Sequence, residues 1–83
     1  MLDDSLKNST KKVVGLKQTR RALERGTVYR VYLAKNSDAK ILQSLEEQCR
    51  QLQVEIVEVP TMAELGKVCG IQVGTAVAAL LKE

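Results

Sequence analysis

The apolar positions of the chain change their spacing along its length, and each change predicts an element of secondary structure. From 16 to 25 they recur at helical spacing, with Leu16 and Leu23 on one side, and Gly26 follows where a C-terminal cap belongs. Residues 28–34 are rich in β-branched and aromatic side chains, which favours a strand. The pattern therefore predicts a helix over 16–25 followed by a strand over 28–34.

The second half of the chain continues this alternation. Ser37 or Asp38 is placed to cap a helix after a polar turn, and Thr61 followed by Glu64 forms a capping box at the start of another. Pro60 ends the strand between these two helices. The predicted elements are a helix that buries Ile41, Leu42, Leu45, Cys49 and Leu52, a strand over 54–59, a helix from 61 to Gly70, and a strand over 75–81 that is buried on both faces.

Two further elements are expected upstream, namely a short helix from Asp3 to Asn8 and a short strand from Lys11 to Val14 closed by Gly15. Alternating strands and helices predict an α/β fold, a three-layer α/β/α sandwich around a central mixed sheet of about four strands. A chain of 83 residues provides material for one core, so a single domain over 1–83 is expected.

The composition argues against catalysis and against metal or cofactor binding. The chain has no His, and its two cysteines, Cys49 and Cys69, stand twenty residues apart with no CxxC pair. A zinc site or a thiol nucleophile therefore lacks its usual partners, and we expect two buried, reduced thiols. An enzyme that uses a thiol or a carboxylate is the alternative.

The chain is predicted to stay in the cytoplasm and to have no membrane partner. Its longest apolar run, residues 76–81, is much shorter than the ~20 residues that a membrane-spanning helix needs. The first residues, MLDDSLKN, carry acids where a signal peptide carries a basic segment followed by a long apolar stretch.

Charge is distributed unevenly, although the net charge is only +3. Residues 7–40 hold ten basic and two acidic side chains, whereas residues 41–83 hold three basic and six acidic ones. Such an asymmetry favours a polyanionic partner, because one face attracts phosphate while the other keeps the protein soluble. An ordinary solvated surface is the alternative. Tyr29 and Tyr32 are the only aromatic residues, so a base-stacking platform is not expected.

The helix over 16–25 combines its buried face with a basic one. Lys17, Gln18, Arg21 and Arg25 lie opposite the apolar side and spread over roughly 100° of arc. Free N–H groups and the helix dipole favour an anion at the start of this helix, and a Gln side chain suits the edge of a base. The stripe predicts a surface that reads base edges and attracts phosphate, with a merely solvated helix face as the alternative.

Three strings carry a resemblance to a known family: GLKQTRRALERG at 15–26, VYLAKNSD at 31–38 and ELGKVCGIQVGTAVAALL at 64–81. With the spacing between them, they resemble the L-seven-Ae family of ribosomal and kink-turn RNA-binding proteins, and most of all its short bacterial branch. The resemblance covers the chain from Lys12 onward. It implies the same α/β/α sandwich and a kink-turn as ligand, which is a sharply bent RNA duplex with a bulge beside tandem sheared G·A pairs.

The resemblance also implies a set of RNA-contacting residues. The guanine-reading triplet of the family falls on Lys17, Gln18 and Arg21, where archaeal and eukaryotic members typically have Asn, Glu and Lys. The full set of implied RNA-binding residues is Gly15, Lys17, Gln18, Thr19, Arg20, Arg21, Lys35, Ile71, Gln72 and Val73.

A loop late in the chain forms the second part of this implied site. Ile71 and Val73 fall where the family rests apolar side chains against the bulge, and Gln72 stands where Glu is common. We therefore expect Ile71 to be exposed in the free protein. Basic side chains nearby are expected to approach phosphates, namely Lys11, Lys12, Arg20 and Lys35.

The expected function is that of a monomeric bacterial RNA-binding protein that needs no cofactor. Its expected partners are a structured kink-turn RNA and the large ribosomal subunit. By binding only the bent form, the protein would shift the equilibrium of the RNA toward that form. The alternative is a structural protein of the large subunit that uses RNA only as a docking surface.

Overall fold

The computed structural model describes residues 11–82, so the helix expected from Asp3 to Asn8 lies outside the described residues. Several predicted boundaries are confirmed to the residue, among them those of the basic helix and of the strand after it. The elements in chain order are β1 (Lys12–Val14), α1 (Leu16–Arg25), β2 (Val28–Ala34), α2 (Ala39–Leu52), β3 (Glu55–Val59), α3 (Met62–Cys69) and β4 (Val77–Leu81).

The four strands form one mixed sheet in the order β1-β4-β2-β3, which confirms the predicted architecture. β4 is antiparallel to both of its neighbours, and β2 and β3 are parallel. The strands β1, β2 and β3 therefore end at the same end of the sheet at which β4 begins, as the pairings of Val14 with Ala78 and of Leu33 with Val77 show. We call this the carboxyl end of the sheet.

The helices begin and end where local chemistry dictates. Of the two predicted caps for α2, Asp38 is the one used, because its carboxylate accepts from the backbone N–H of Lys40 at 2.8 Å. The hydroxyl of Thr61 accepts from the N–H of Glu64 at 3.1 Å and so caps α3. α1 ends at Gly26, whose φ of 71° lies in the left-handed region that glycine adopts without strain.

Two apolar clusters fill the two sides of the sheet and give the sandwich its three layers. Successive side chains of a strand point to opposite faces, so Leu33 of β2 enters one cluster and Tyr32 enters the other. The first four residues of β4 are divided in the same way, which confirms that this strand is buried on both faces. The first cluster, under α1 and α2, contains Leu23, Val31, Leu33, Leu45, Cys49, Val77 and Ala79, and the second, under α3, contains Tyr32, Val59, Leu65, Cys69, Ala78 and Leu80.

Four details differ from the sequence-based expectation. β1 begins at Lys12 and not at Lys11. Leu52, the last residue of α2, is 47% exposed and lies outside the core. β3 begins at Glu55 and not at Val54. β4 begins at Val77 and not at Thr75, because the N–H of Thr75 is donated to Met62 of α3 and not to a neighbouring strand.

Both cysteines are buried free thiols, as predicted. Burial disfavours the thiolate and raises the pKa of Cys49 to about 11, with a smaller contribution from the negative charge of Glu46. Burial raises the pKa of Cys69 as well. Both side chains are therefore protonated near neutral pH and behave as small apolar residues.

Helices in the described part of the chain are too short or too polar to span a bilayer.

Candidate nucleic-acid interface

Gly15 places the start of α1 at the carboxyl end of the sheet. Its φ of 101° and ψ of 158° belong to a region that is essentially restricted to glycine. In this conformation its N–H donates to the carbonyl oxygen of Val77 at 2.9 Å, while its own carbonyl accepts from the N–H of Thr19 at 3.0 Å. A glycine at this position has no side chain to cap the helix, and the first turn contains no acidic residue. The positive end of α1 is therefore open to an external acceptor.

The outer face of α1 is basic and exposed. Lys17, Gln18, Arg21 and Arg25 are all exposed, in agreement with the predicted stripe. Within residues 11–82, none of the three cations has a carboxylate within ion-pair distance. Their charge is consequently available to a ligand, whereas a paired cation would first have to be released from its partner.

Thr19 and Arg20, two of the residues implied by the resemblance, are less exposed than the other implied residues of α1. Thr19 is completely buried against the sheet, so its side chain is not part of the exposed surface. Arg20 is half-buried, and its guanidinium donates to the hydroxyl of Ser44 at 2.8 Å, which ties α1 to α2. Arg20 therefore has a structural contact in the free protein and is less available than Lys17 or Arg21.

The chain from 70 to 76, which we call the α3–β4 loop, lies at the same end of the sheet. Its first part is fixed by the N–H of Ile71, which donates to the carbonyl of Gly66 at 3.0 Å. Its last part is fixed by the N–H of Thr75, which donates to the carbonyl of Met62 at 3.1 Å. Both acceptors belong to α3, so the loop runs back along this helix.

Two glycines allow the loop to lie directly on α3. A Cβ atom added to Gly66 would collide with the carbonyl oxygen of Val73. A Cβ added to Gly74 would come within 3.1 Å of the backbone of Met62. The close approach of the two backbones thus fixes the position from which the Val73 side chain projects.

The loop residues differ in exposure, and the expectation for Ile71 is wrong. Val73 is 70% exposed and is the most exposed large apolar side chain in the described part of the chain. Gln72 is exposed as well. Ile71 is half-buried and packs against the second apolar cluster, because its N–H bond to α3 holds it close to the helix. The exposed apolar contact of this loop is therefore Val73.

Only some of the basic residues that were predicted to contact phosphate lie at the carboxyl end of the sheet. Lys35 follows β2 directly and is exposed, and its N–H donates to the carbonyl of Val59 at 2.8 Å, so it lies at the carboxyl end. Lys12 begins β1 opposite Leu80, toward the other end, and Lys11 precedes it. At ~3.3 Å per residue along a strand, Lys11 lies about 10 Å from Val14, where β1 reaches the carboxyl end.

Sequence reasoning missed the residues that hold these segments together. The side-chain oxygen of Asn36 accepts from the N–H of Met62 at 2.8 Å, and the hydroxyl of Thr75 donates to the carbonyl of Val77 at 2.9 Å. The sequence indicates only a polar turn at Asn36, because Met62, the partner of its side chain, is 26 residues away along the chain. In the part of the chain that the structure describes, no group of three or more His, Cys, Asp or Glu residues could hold a metal ion.

Comparisons with known proteins show the family of the chain. Residues 2–83 match the sequence profile of the Ribosomal protein L7Ae/L30e/S12e/Gadd45 family. A protein of Caldanaerobacter subterraneus named as an RNA-binding protein is 44% identical over 69 residues, which cover 83% of this chain and 84% of that protein. Another protein named as RNA-binding, from Halalkalibacterium halodurans, is 38% identical over 79 residues, covering 95% and 96%.

A solved structure supports the fold assignment. The 15.5 kD RNA binding protein of Giardia lamblia superposes with a TM-score of 0.89 at 24% identity, covering 96% of this chain and 70% of that one. At this identity the likeness concerns the arrangement of helices and strands. The two relatives named above are described as RNA-binding proteins, which agrees with the prediction of a non-catalytic protein.

Proposed function

Because the chain belongs to the Ribosomal protein L7Ae/L30e/S12e/Gadd45 family, we propose that it binds RNA at the carboxyl end of its sheet and that its ligand is a kink-turn. The names of its relatives support the first part of this proposal, since they describe RNA-binding proteins. The resemblance of its sequence motifs to kink-turn-binding proteins supports the second.

The proposal depends on one observation, namely that a basic helix start and an exposed apolar side chain lie at the same end of the sheet. The N–H bond from Gly15 to Val77 joins the start of α1 to the end of the α3–β4 loop. Lys17 projects from the first turn of α1 and Arg21 from the next turn, and Val73 projects from the α3–β4 loop. A single RNA can contact both, provided that it presents base edges and an unstacked nucleotide close together.

The side chains of α1 suit the groove of such an RNA. Lys17 and Arg21 are exposed cations that can donate to O6 and N7 of guanine, and Gln18 can both donate and accept at a base edge. The uncapped start of the helix adds backbone N–H groups that favour phosphate. Lys35, exposed at the same end, supplies a further phosphate contact.

Val73 gives the site its preference for RNA that has an extruded base. An exposed valine offers little to a phosphate, but it can cover the face of a nucleotide that has left the duplex stack. The bent RNA presents such a nucleotide beside the guanines, whereas a regular duplex does not. Binding therefore favours the bent form, to an extent set by the difference in affinity for the two shapes.

In this proposal residues 1–83 act as a single, monomeric RNA-binding domain in the cytoplasm. The physiological ligand is either RNA of the large ribosomal subunit or a regulatory RNA. A structural ribosomal protein that uses RNA only as a docking surface is the competing function. It would sediment with the large subunit and would not bind an isolated kink-turn.

The experiment that tests the proposal compares two RNAs. One is a kink-turn duplex, and the other has its sheared G·A pairs replaced by Watson–Crick pairs. We expect tight binding of the first and loss of most of the affinity for the second. Equal affinity for both RNAs, or no binding to either, would contradict the proposal.

A further inference from the structure

We propose that Asn36 and Thr75 are positioning residues that hold the α3–β4 loop and the start of α1 in one fixed relation, so that both can contact the RNA at once. The inference rests on the proposed function, since it concerns the same site. Thr75 is buried, and Asn36 is exposed beside Lys35 but has its side-chain oxygen bonded to α3. Both act through hydrogen bonds to the segments that form the site.

Asn36 fixes the start of α3. Thr61 caps this helix through the N–H of Glu64, which leaves the N–H of Met62 in the first turn without a partner from the cap. The side-chain oxygen of Asn36, in the turn between β2 and α2, accepts from that N–H at 2.8 Å. The turn that carries Lys35 is thereby joined to α3.

Met62, which Asn36 holds, in turn contacts the α3–β4 loop. Its carbonyl oxygen accepts from the N–H of Thr75 at 3.1 Å, and its backbone lies close against Gly74. The last part of the α3–β4 loop is thus held by the same residue that Asn36 holds. A shift of α3 would displace the loop and with it Val73.

Thr75 completes the connection to α1. It is buried, and its hydroxyl donates to the carbonyl oxygen of Val77 at 2.9 Å. The same oxygen accepts from the N–H of Gly15, and a carbonyl has two lone pairs for two donors. The segments that carry Lys35, Val73 and Lys17 are therefore linked in one series of hydrogen bonds.

The physical consequence is a site that is formed before the RNA arrives. Ordering a loop during binding costs conformational entropy, and a site that is already ordered avoids that cost. A rigid spacing also selects against RNA that cannot present its bulge and its guanines at that spacing. The two positioning residues should therefore affect discrimination as well as affinity.

The test uses one disruptive and one conservative change at each position. Thr75→Val removes the hydroxyl but keeps the shape of the buried side chain, and Thr75→Ser keeps the hydroxyl. Asn36→Leu removes the acceptor, and Asn36→Asp retains one that also suits the positive end of a helix. We expect Thr75→Val and Asn36→Leu to weaken kink-turn binding roughly two- to tenfold, the range for one lost hydrogen bond, and the conservative changes to restore it.

Two readouts separate positioning from a general loss of stability. In the free protein, amide hydrogen exchange of Gly15 should become roughly two- to tenfold faster in Thr75→Val, since its N–H shares the carbonyl oxygen of Val77 with the Thr75 hydroxyl. In a Val73→Ala background, Thr75→Val should cost at most about twofold in affinity, because the loop contact that it positions is already lost. An effect of equal size in both backgrounds would overturn the inference, as would wild-type affinity in Thr75→Val despite a lower Tm.

The outcome also distinguishes this inference from the proposed function. If the wild-type protein does not bind the kink-turn, the proposed function fails, and positioning for RNA fails with it. If the wild-type protein binds and discriminates but both disruptive variants do the same, the function stands and only the positioning role is refuted. Unchanged hydrogen exchange at Gly15 in Thr75→Val would likewise refute it, whatever the RNA result.

Discussion

The backbone N–H of Gly15 donates to the carbonyl oxygen of Val77 at 2.9 Å and thereby joins two segments that are far apart in the sequence. Gly15 precedes the basic helix, and Val77 follows the loop that exposes Val73. The spacing between these two surfaces is a property of the folded backbone. A ligand that uses both must match it.

Replacing Lys17 or Arg21 with alanine should weaken kink-turn binding by about 1–3 kcal/mol each, the range for a good base contact. The free energy of unfolding should change by less than about 0.5 kcal/mol, since both side chains are exposed and unpaired within the described residues. Fluorescence anisotropy with labelled RNA measures the first quantity and chemical denaturation measures the second.

The matched controls for these two variants are Lys82→Ala and Arg50→Ala. Lys82 follows β4, at the end of the sheet opposite to the carboxyl end, and Arg50 is exposed near the end of α2. Each removes one positive charge without touching the proposed site. If the control variants lose as much affinity as the α1 variants, then Lys17 and Arg21 contribute only general positive charge and no base recognition.

The affinity for kink-turn RNA should fall steeply as salt increases. Every cation that contacts a phosphate displaces counterions, so the logarithm of the binding constant decreases linearly with the logarithm of salt concentration. Lys35→Ala should reduce this slope by on the order of one unit while leaving the preference for the G·A-paired RNA intact. A binding constant that stays unchanged between 50 and 200 mM salt, concentrations over which about three decades are lost with six phosphate contacts, would contradict an electrostatic contribution.

Val73→Asp should mainly weaken RNA binding, whereas Ile71→Asp should mainly lower stability, although the two residues lie in the same loop. Val73 is 70% exposed, so an aspartate there should leave stability nearly unchanged and weaken RNA binding through charge repulsion and loss of the apolar contact. Ile71 packs against the second apolar cluster, so an aspartate there should lower the free energy of unfolding by about 1–3 kcal/mol. Thermal melts and RNA titrations of the two variants measure these two effects. An Ile71→Asp variant that is stable but binds RNA weakly, together with an unstable Val73→Asp variant, would contradict the prediction.

Gly66→Ala should destabilise the protein even though alanine favours helix by about 1 kcal/mol over glycine. The added methyl group would collide with the carbonyl oxygen of Val73, and overpacking of this kind typically costs about 1–3 kcal/mol. RNA affinity should fall as well, since the loop must move. Lys67→Ala, on the exposed side of the same helix, is the control for stability and should change it by less than about 0.5 kcal/mol.

Stability should decline between about pH 9 and pH 11 in a manner that depends on Cys49. The folded state raises the pKa of this thiol to about 11, so in that interval the unfolded chain releases its proton while the folded protein retains it. Rising pH therefore favours unfolding across this window, and below pH 9 the contribution is constant. Cys49→Ala should show a shallower decline than the wild type in denaturant titrations at successive pH values, and an identical slope would contradict the assignment.

The secondary structure was largely readable from the sequence because local signals agreed with one another. The bounds of α1 and β2 followed from periodicity and from Gly26, and Thr61 with Glu64 marked the start of α3. Leu52 was wrongly assigned to the core because it keeps the helical spacing of the apolar face, although it is 47% exposed. Periodicity reports the direction of a side chain but not whether another layer covers it.

The candidate site was less predictable, since its exposed face depends on contacts between distant segments. The exposure of Lys17, Gln18 and Arg21 followed from helix geometry alone. The burial of Ile71 did not, because it results from a backbone bond to Gly66 in the preceding helix. The bond between Asn36 and Met62 likewise joins residues whose proximity only the folded sheet creates.

The central place of β4 also determines when the protein becomes competent during synthesis. Among residues 11–82, β4 is the last strand to be synthesised, yet it lies between β1 and β2, and it supplies the acceptor for Gly15. While this strand is still inside the ribosomal exit tunnel, β1 has no neighbour in the sheet and α1 has no fixed start. A nascent chain that has emerged only through α3 therefore exposes its basic residues without the surface that would make them selective.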